Sequence, residues 1–359
     1  MRQGAGWGLI QATRPTGRIW SRFDVPVMTT ASVSIVIPTY NRASLLPAAI
    51  ACVQAQTYAA WELIVVDDAS TDETREKVAA LAATDPRIRL VDNPGRHGPA
   101  GARNAGLAQC RTDWVAFLDS DDRWQPEKLA RFMAAAALHP AAVLIGSDYW
   151  MVDRDTGRRE TMLAFLAREM LPWWESDPMI TCVVPCAAIR ENPECLGTRE
   201  AMLTTQLGEF LWVHTSSAMV RLDAVKKLGG FDESLAQTED IRLWLQLSDQ
   251  GPVVFIPETL ATHDITGRDV GTGERYATHD PARKPTLYST RLHHLELTKW
   301  LRDHARLTPP QRRLLRRQII AGHRRCAEAA RGSRPFGVFL YHRLAGSHRL
   351  RAIARVPGF

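Results

Sequence analysis

Short β-branched runs alternate with helix-patterned stretches over roughly 120 residues, and this alternation restricts the fold more than any other feature of the chain. The strand-like runs are VSIVIPTYNR (33–42), WELIVVDDAS (61–70), RIRLVDNP (87–94), WVAFLDSDD (114–122) and AAVLIGSDYW (141–150). Between them lie Ala43–Gln56, with apolar residues at spacings of three and four, then TDETREKVAALAA, GPAGARNAGLAQC, and a stretch from Pro126 to Leu138. Such alternation predicts a mostly parallel α/β sheet with helices on both faces, because parallel neighbours need crossover connections.

In open sheets of this kind ligands bind outside the carboxyl ends of the strands. Each run finishes there in a polar cluster: Thr39-Tyr40-Asn41, Asp67-Asp68, Asp92-Asn93, and Asp119-Ser120-Asp121-Asp122. The repetition predicts one edge built to hold a ligand. Beyond residue 151 the pattern loosens into a segment rich in proline and tryptophan. It returns at SSAMVRLDAVKKLGGFDESL (216–235), TEDIRLWLQLSDQG (238–251) and PVVFIPETLATH (252–263), read as strand–helix–turn, capped helix and strand.

Composition narrows the class. With 45% hydrophobic and 23% charged residues the chain reads as a globular protein with a sizeable core. No window approaches the roughly 18 apolar residues of a membrane span. The first 32 residues lack an unbroken apolar core and read as a mobile leader rather than a signal peptide. Six scattered cysteines suit reduced thiols in a cytoplasmic compartment. The net charge of +6 is unevenly spread: from Arg291 onward fifteen Arg and one Lys face Glu296, Asp303 and Glu328, a net +13, so the preceding body carries −7. An acidic body with a basic tail needs two explanations.

Each acidic cluster carries a functional and a plain reading. Asp119 and Asp121, one residue apart in a strand-end turn, can face a hard cation that prefers oxygen ligands; equally, the turn can cap the helix that follows. Asp68 can accept from a base or sugar, or cap the helix near Thr71. GRHGPAGARNAG (95–106) puts glycines at a helix start, where N–H groups attract phosphate, with Arg103 one turn in; Gly98 and Gly101 can instead serve close packing, and Arg103 can be a surface charge. The spacing is not that of a dinucleotide fingerprint. Glu239 and Asp240 open a helix, where an anionic general base is stabilised and where acids also simply complement the dipole. Among the histidines, His214 leads into a strand beneath the rim and can touch an acceptor, or be a satisfied buried residue, the reading the sequence favours. Cys182, Cys186 and Cys195 form no CxxC pair, which disfavours zinc. Trp173 and Trp174 suit stacking on an acceptor sugar, or core packing.

Taken together and in order, VSIVIPTYNR, ELIVVDDASTDET, GPAGARNAGL, WVAFLDSDDRWQPEKL, SSAMVRLDAVKKLGGFDESL and TEDIRLWLQL resemble the family 2 glycosyltransferases, inverting enzymes of the GT-A fold. The resemblance spans residues 33 to about 260. It implies that Pro38, Tyr40 and Asp68 line a nucleobase and ribose pocket and that Arg103 reaches the nucleotide. It further implies that Asp119 and Asp121 are the DxD pair, with Asp121 the more direct ligand of Mg²⁺ or Mn²⁺ and Asp119 nearer the ribose, and that Asp240 is the catalytic base. His263 lies near where relatives place a metal-approaching histidine, although ETLATHDITG departs from the usual Arg-x-His pattern.

The implied organisation is a leader (1–32), a Rossmann-like nucleotide-sugar-binding half (33–150), an acceptor half of the same domain (151–275) and a basic helical C-terminal region (276–359). The implied activity is metal-dependent inverting transfer from a nucleotide-sugar, UDP- or dTDP-linked by preference, to a hydroxyl on a glycan or lipid-linked acceptor, in surface polysaccharide or glycolipid synthesis. The rival from another class is a degenerate GT-A-fold scaffold that binds nucleotide without turnover. A nucleotidyltransferase is disfavoured because PTYNRASLL lacks a Gly-rich loop. In the tail, Leu315, Ile319, Gly322, Cys326 and Ala330 share one helical stripe, and a second basic stretch covers 334–356. That tail suits docking on the body or peripheral contact with an anionic membrane at its cytoplasmic face; nucleic acid is disfavoured, since no binding motif accompanies the arginines.

Overall fold

The computed structural model describes residues 32–165, 196–197, 213–235, 237–266, 287–304 and 309–330. The expected leader, Trp173 and Trp174, the three cysteines at 182–195 and the stretch 334–356 lie outside these residues.

Five strands open the chain: β1 (Val33–Thr39), β2 (Trp61–Asp67), β3 (Ile88–Asp92), β4 (Trp114–Phe117) and the two-residue β5 (Arg123–Trp124). Helices α1 (Leu46–Gln54), α2 (Thr74–Thr84) and α3 (Pro99–Gln109) connect the first four, and α4 (Lys128–Leu138) follows β5. Then come β6 (Leu144–Val152), β7 (Arg159–Thr161), β8 (Leu196–Gly197), β9 (Ala218–Arg221), α5 (Leu222–Leu228), α6 (Glu239–Ser248) and β10 (Val253–Asp264). Two long helices close the described chain, α7 (Leu287–His304) and α8 (Pro309–Ala330).

The strands form one sheet in the order β3-β2-β1-β4-β9-β6-β10-β5, with β7 on β6 and β8 on β10. The first four pair in parallel, as do β6 and β10. The expected α/β sheet is therefore present, with a difference: β9 enters antiparallel between β4 and β6. It joins two parallel blocks into one sheet. Strands β1, β2 and β4 are almost wholly buried, as β-branched runs covered on both faces must be.

Helix α3 sits close on this sheet. A Cβ on Gly106 would lie 2.4 Å from Val36 Cγ1, so only glycine lets the helix approach β1 this far. Gly101 is equally constrained, since a Cβ there would lie 1.8 Å from the Arg96 carbonyl oxygen. These contacts decide Gly101 and Gly106 in favour of packing.

The tail helices behave as an amphipathic pair. On α8, Leu315, Gly322, Cys326 and Ala330 are buried and Ile319 half-buried, with Gly322 set against Leu295 of α7, while Arg312, Arg313, Arg316, Arg317 and Arg324 are exposed. The predicted stripe therefore packs within the protein and the arginines face outward. No described helix is long and apolar enough to cross a membrane.

Candidate active site

The carboxyl ends of β1, β2 and β4 carry three of the predicted residue groups, and each is held by its neighbours. Pro38 and Tyr40 are half-buried at the end of β1. Two residues at strand ends adopt left-handed backbone, Asn41 with φ 50° after β1 and Ala69 with φ 66° after β2. Non-glycine residues in this region carry strain that the surroundings must hold in place, and such strain concentrates at functional sites. Asn41 is braced by Ser70, whose Oγ accepts its N–H, and its own Oδ1 accepts from Thr71 N–H at 2.8 Å.

Asp68 is buried and accepts three hydrogen bonds: Asn93 Nδ2 at 2.7 Å, His97 Nδ1 at 2.9 Å and Gly98 N–H at 2.8 Å. It thus anchors the 93–98 loop and takes the N–H of the residue that opens α3, whose φ of 125° requires glycine. The helix it caps is α3, across the loop; the helix after Thr71 is served instead by Asp72, which accepts from Thr74.

Arg103, one turn into α3, is buried between two carboxylates, with NH2 at 2.8 Å from Asp119 and NH1 at 2.8 Å from Glu239. Burial alone would weaken its charge, but the Asp119 and Glu239 carboxylates overrule it and hold the guanidinium above its ordinary range. Asp119 responds in kind. Burial pushes its carboxyl up, yet Arg103, with His214 and His263 nearby, draws it below the usual carboxylate range. Glu239 goes the other way: burial, then the Asp240 charge beside it, raise it against the pull of Arg103.

Asp121 is half-buried and lies 3.9 Å from Arg42 at the end of β1. Asp240, half-buried at the start of α6, accepts from the Thr215 hydroxyl at 2.9 Å and from the Ile241 N–H at 2.7 Å. The residue before α6 is a third left-handed non-glycine, Thr238 with φ 64°, and its side chain does not cap the helix. The acids at 239 and 240 therefore stand at a strained helix entry.

His263 sits near the end of β10, buried against Asp122, with Nδ1 at 3.1 Å from Asp122 Oδ1. Sheet register explains the meeting of residues so distant in sequence. Short β5 pairs antiparallel with β10, Arg123 opposite Thr262, which lays Asp122 beside His263. His214 lies against the same pair, its ring centroid 3.8 Å from that of His263. Asp122, His214 and His263 each offer a ligand atom within 4.8 Å of the others, a donor set of oxygen and imidazole suited to a divalent metal ion.

One 3-10 turn, Thr215–Ser217, ties these groups together. Thr215 holds Asp240; the Ser216 hydroxyl donates to Asp122 at 2.5 Å and accepts the Asp119 N–H at 3.0 Å. The sequence pattern assigns no role to Thr215, Ser216, Arg42 or His97, places Asn93 and Asp122 only among the polar strand ends, and offers Glu239 only together with Asp240 as a helix-start acid. Hydroxyls directly before a predicted strand, in HTSSAM, were the one available signal.

A doubly joined α/β sheet, with carboxylates, an arginine and two histidines gathered by its strand ends, defines a GT-A-type protein. Residues 34–194, a little under half of the chain, match the family described as Glycosyl transferase family 2. The chain is 50% identical over 97 residues, 27% of this chain and 38% of the relative, to the UDP-Glc:alpha-D-GlcNAc-diphosphoundecaprenol beta-1,3-glucosyltransferase WfgD of Escherichia coli. It is 41% identical over 113 residues, 32% of each chain, to the succinoglycan biosynthesis protein ExoO of Rhizobium meliloti. The matched segments thus span about a third to two fifths of these relatives. Among solved structures, the mannosyltransferase PcManGT of Pyrobaculum calidifontis, in complex with GDP-Man and Mn²⁺, aligns with TM-score 0.55 at 18% identity, covering 88% of this chain and 79% of that one. S. aureus TarS in complex with UDP-GlcNAc aligns with TM-score 0.53 at 16% identity, covering 88% and 78%. These two likenesses concern the fold.

Proposed function

We propose that this protein is a metal-dependent inverting glycosyltransferase that moves a sugar from a nucleotide-sugar to a hydroxyl acceptor in the synthesis of a surface polysaccharide or glycolipid. The observation that carries this reading is the Asp119–Arg103–Glu239 bridge. It joins the end of β4 to the start of α6, and so brings Asp240 to the rim that holds Asp119 and Asp121.

In this reading Asp68, with Pro38 and Tyr40, receives the base and ribose, and Asp119 lies nearer the ribose. Asp121 and His263, with Asp119 beside them, would hold Mg²⁺ or Mn²⁺, which when bound would supply positive charge against the diphosphate leaving group. Arg103 keeps Asp119 anionic and in place, and its fixed positive charge adds to the field at the leaving group. Asp240 takes the proton from the acceptor hydroxyl as that oxygen attacks the anomeric carbon from the face opposite the leaving group. Its two oxygens are already oriented by Thr215 and the Ile241 N–H. The similarity to WfgD, a UDP-Glc:alpha-D-GlcNAc-diphosphoundecaprenol glucosyltransferase, supports a UDP-sugar donor and a lipid-linked acceptor. The outward arginines of α8 suit peripheral contact with an anionic membrane at its cytoplasmic face.

A thermal-shift screen of nucleoside diphosphates with and without Mn²⁺ tests the reading, since a ligand that binds only the folded state raises its stability. A nucleotide that stabilises only with metal, followed by turnover of the matching sugar donor, is the expected result. Metal-dependent binding without turnover favours the scaffold reading, and no binding at all overturns both.

A further inference from the structure

Two adjacent histidines, their rings tilted at 43° with centroids 3.8 Å apart, would ordinarily be counted as equal metal ligands, yet their hydrogen bonds differ. His263 points Nδ1 at Asp122, with the two carboxylate oxygens at 3.1 and 3.2 Å. A carboxylate only accepts, so the proton of that bond sits on His263 Nδ1, and Nε2 of the neutral ring carries the lone pair. His214 is arranged the other way. The Ser216 N–H points at its Nδ1 at 3.2 Å, and an amide N–H only donates, so Nδ1 holds the lone pair and the proton sits on Nε2. The 3.6 Å between His214 Nδ1 and Asp122 Oδ2 fits this assignment, since two acceptors do not close to hydrogen-bond distance.

Asp122 itself is fully buried, and its oxygens take defined donors. Oδ1 accepts the Asp264 N–H at 3.0 Å together with His263 Nδ1, and Oδ2 accepts the Ser216 hydroxyl at 2.5 Å. To ligate an ion directly it would have to give up bonds that hold β10, the 3-10 turn and the Asp119 backbone in one unit. A buried carboxylate that orients an imidazole is instead the usual outer partner of a metal-ligating histidine.

We propose that Asp122 is a positioning residue that locks His263 as the Nδ1–H tautomer, so that His263 Nε2 can ligate a divalent cation, while the Ser216 N–H locks His214 as the opposite tautomer, so that His214 serves as a hydrogen-bond donor to an anionic oxygen and not as a ligand. This rests on the proposed metal-dependent transferase reading for its purpose, but the tautomers are measurable without metal, nucleotide or turnover.

The test is ¹⁵N–¹H long-range correlation spectroscopy of the full chain labelled at histidine, above the ordinary histidine pKa of about 6.5, with the two rings assigned from His263→Gln and His214→Gln. His263 is expected in the Nδ1–H form and His214 in the Nε2–H form. In Asp122→Asn, an amide brings N–H groups into a site that already holds three donors, and His263 is expected to lose its single-tautomer signature while His214 keeps its own. Far-ultraviolet circular dichroism shows whether the variant is folded; if it is not, the wild-type tautomers decide alone. Mn²⁺ titration followed by water-proton relaxation should then show affinity about 10- to 100-fold weaker in Asp122→Asn, a similar or greater loss in His263→Gln, and little change in His214→Gln. Identical tautomers in the two wild-type rings overturn the proposal, as does a folded Asp122→Asn with unaltered His263 signals, or a loss of Mn²⁺ affinity in His214→Gln that matches His263→Gln. Correct tautomers in a protein that never transfers sugar would sink the transferase reading and leave the assignment of Asp122 standing.

Discussion

Arg103 and Glu239 lie 136 residues apart in the chain, and their side chains meet at 2.8 Å inside the protein. Because the other arm of Arg103 grips Asp119, one guanidinium holds the end of β4 against the start of α6. Removing it strands the buried Glu239 carboxylate and the half-buried Asp119. Arg103→Met is expected to lose about 3–5 kcal/mol of unfolding free energy, measured by urea denaturation. Glu239→Gln leaves Arg103 its Asp119 partner and should lose less. Equal losses in the two variants would show that the bridge does not act as a unit.

Asp240→Asn should leave nucleotide affinity within a few-fold and lower transfer by about 10²–10⁴, the usual worth of a general base. Single-turnover kinetics beside nucleotide titration separates the two. Near-normal transfer in this variant would move the base elsewhere.

Thr215 orients Asp240 through one hydroxyl. Thr215→Val removes a hydrogen bond worth about 1 kcal/mol and should lower kcat by up to about tenfold with little change in KM, while Thr215→Ser restores it. A KM effect that serine fails to rescue would make Thr215 a packing residue only.

Asp121→Asn should abolish the metal-dependent part of the thermal shift given by nucleoside diphosphate. The contact with Arg42 at 3.9 Å is too long to make this a structural ion pair of much weight, so the melting temperature without ligand should change little. An unchanged metal-dependent shift would remove Asp121 from the ligand set.

Lys128 gives a prediction independent of function. Its side chain is fully buried, with Nζ 3.8 Å from the Phe132 ring centroid and 5.2 Å from that of Trp124, and no hydrogen-bond acceptor among the described residues meets it. Burial holds its ammonium well below the ordinary lysine range. The unfolded chain, where lysine titrates near 10.4, then binds more protons than the folded one between the lowered value and about 10.4. Stability should therefore rise with pH across that window. Lys128→Met should flatten the rise and be the more stable protein at neutral pH. Denaturation at pH 7 and pH 9 reads both effects; a steeper slope in the variant would show that the ring faces stabilise the charge more than burial opposes it.

What the sequence alone determined is what local pattern encodes. Apolar runs marked β1, β2, β4 and β6, and the helices between them, because a strand covered on both faces must be apolar throughout, while β3 with Arg89 and Asp92 is only partly buried. The polar strand ends marked the rim, since charges at the end of a buried run can only lie where the sheet opens. The pairing of those charges was not legible. Asp122 reads in sequence as a third member of an acidic turn, and only the β5–β10 register, set by contacts between residues 123 and 262, turns it toward His263. Likewise Arg103 reads as a cation free for a nucleotide, until α6 brings Glu239 against it. Partners in a buried electrostatic network are chosen by which elements the folded sheet lays side by side, and one-dimensional spacing carries no record of that choice. Left-handed backbone at Ala69 and Thr238 is decided the same way, since neither residue favours it and only the surrounding contacts hold it there, whereas asparagine at 41 is a residue type that tolerates this region.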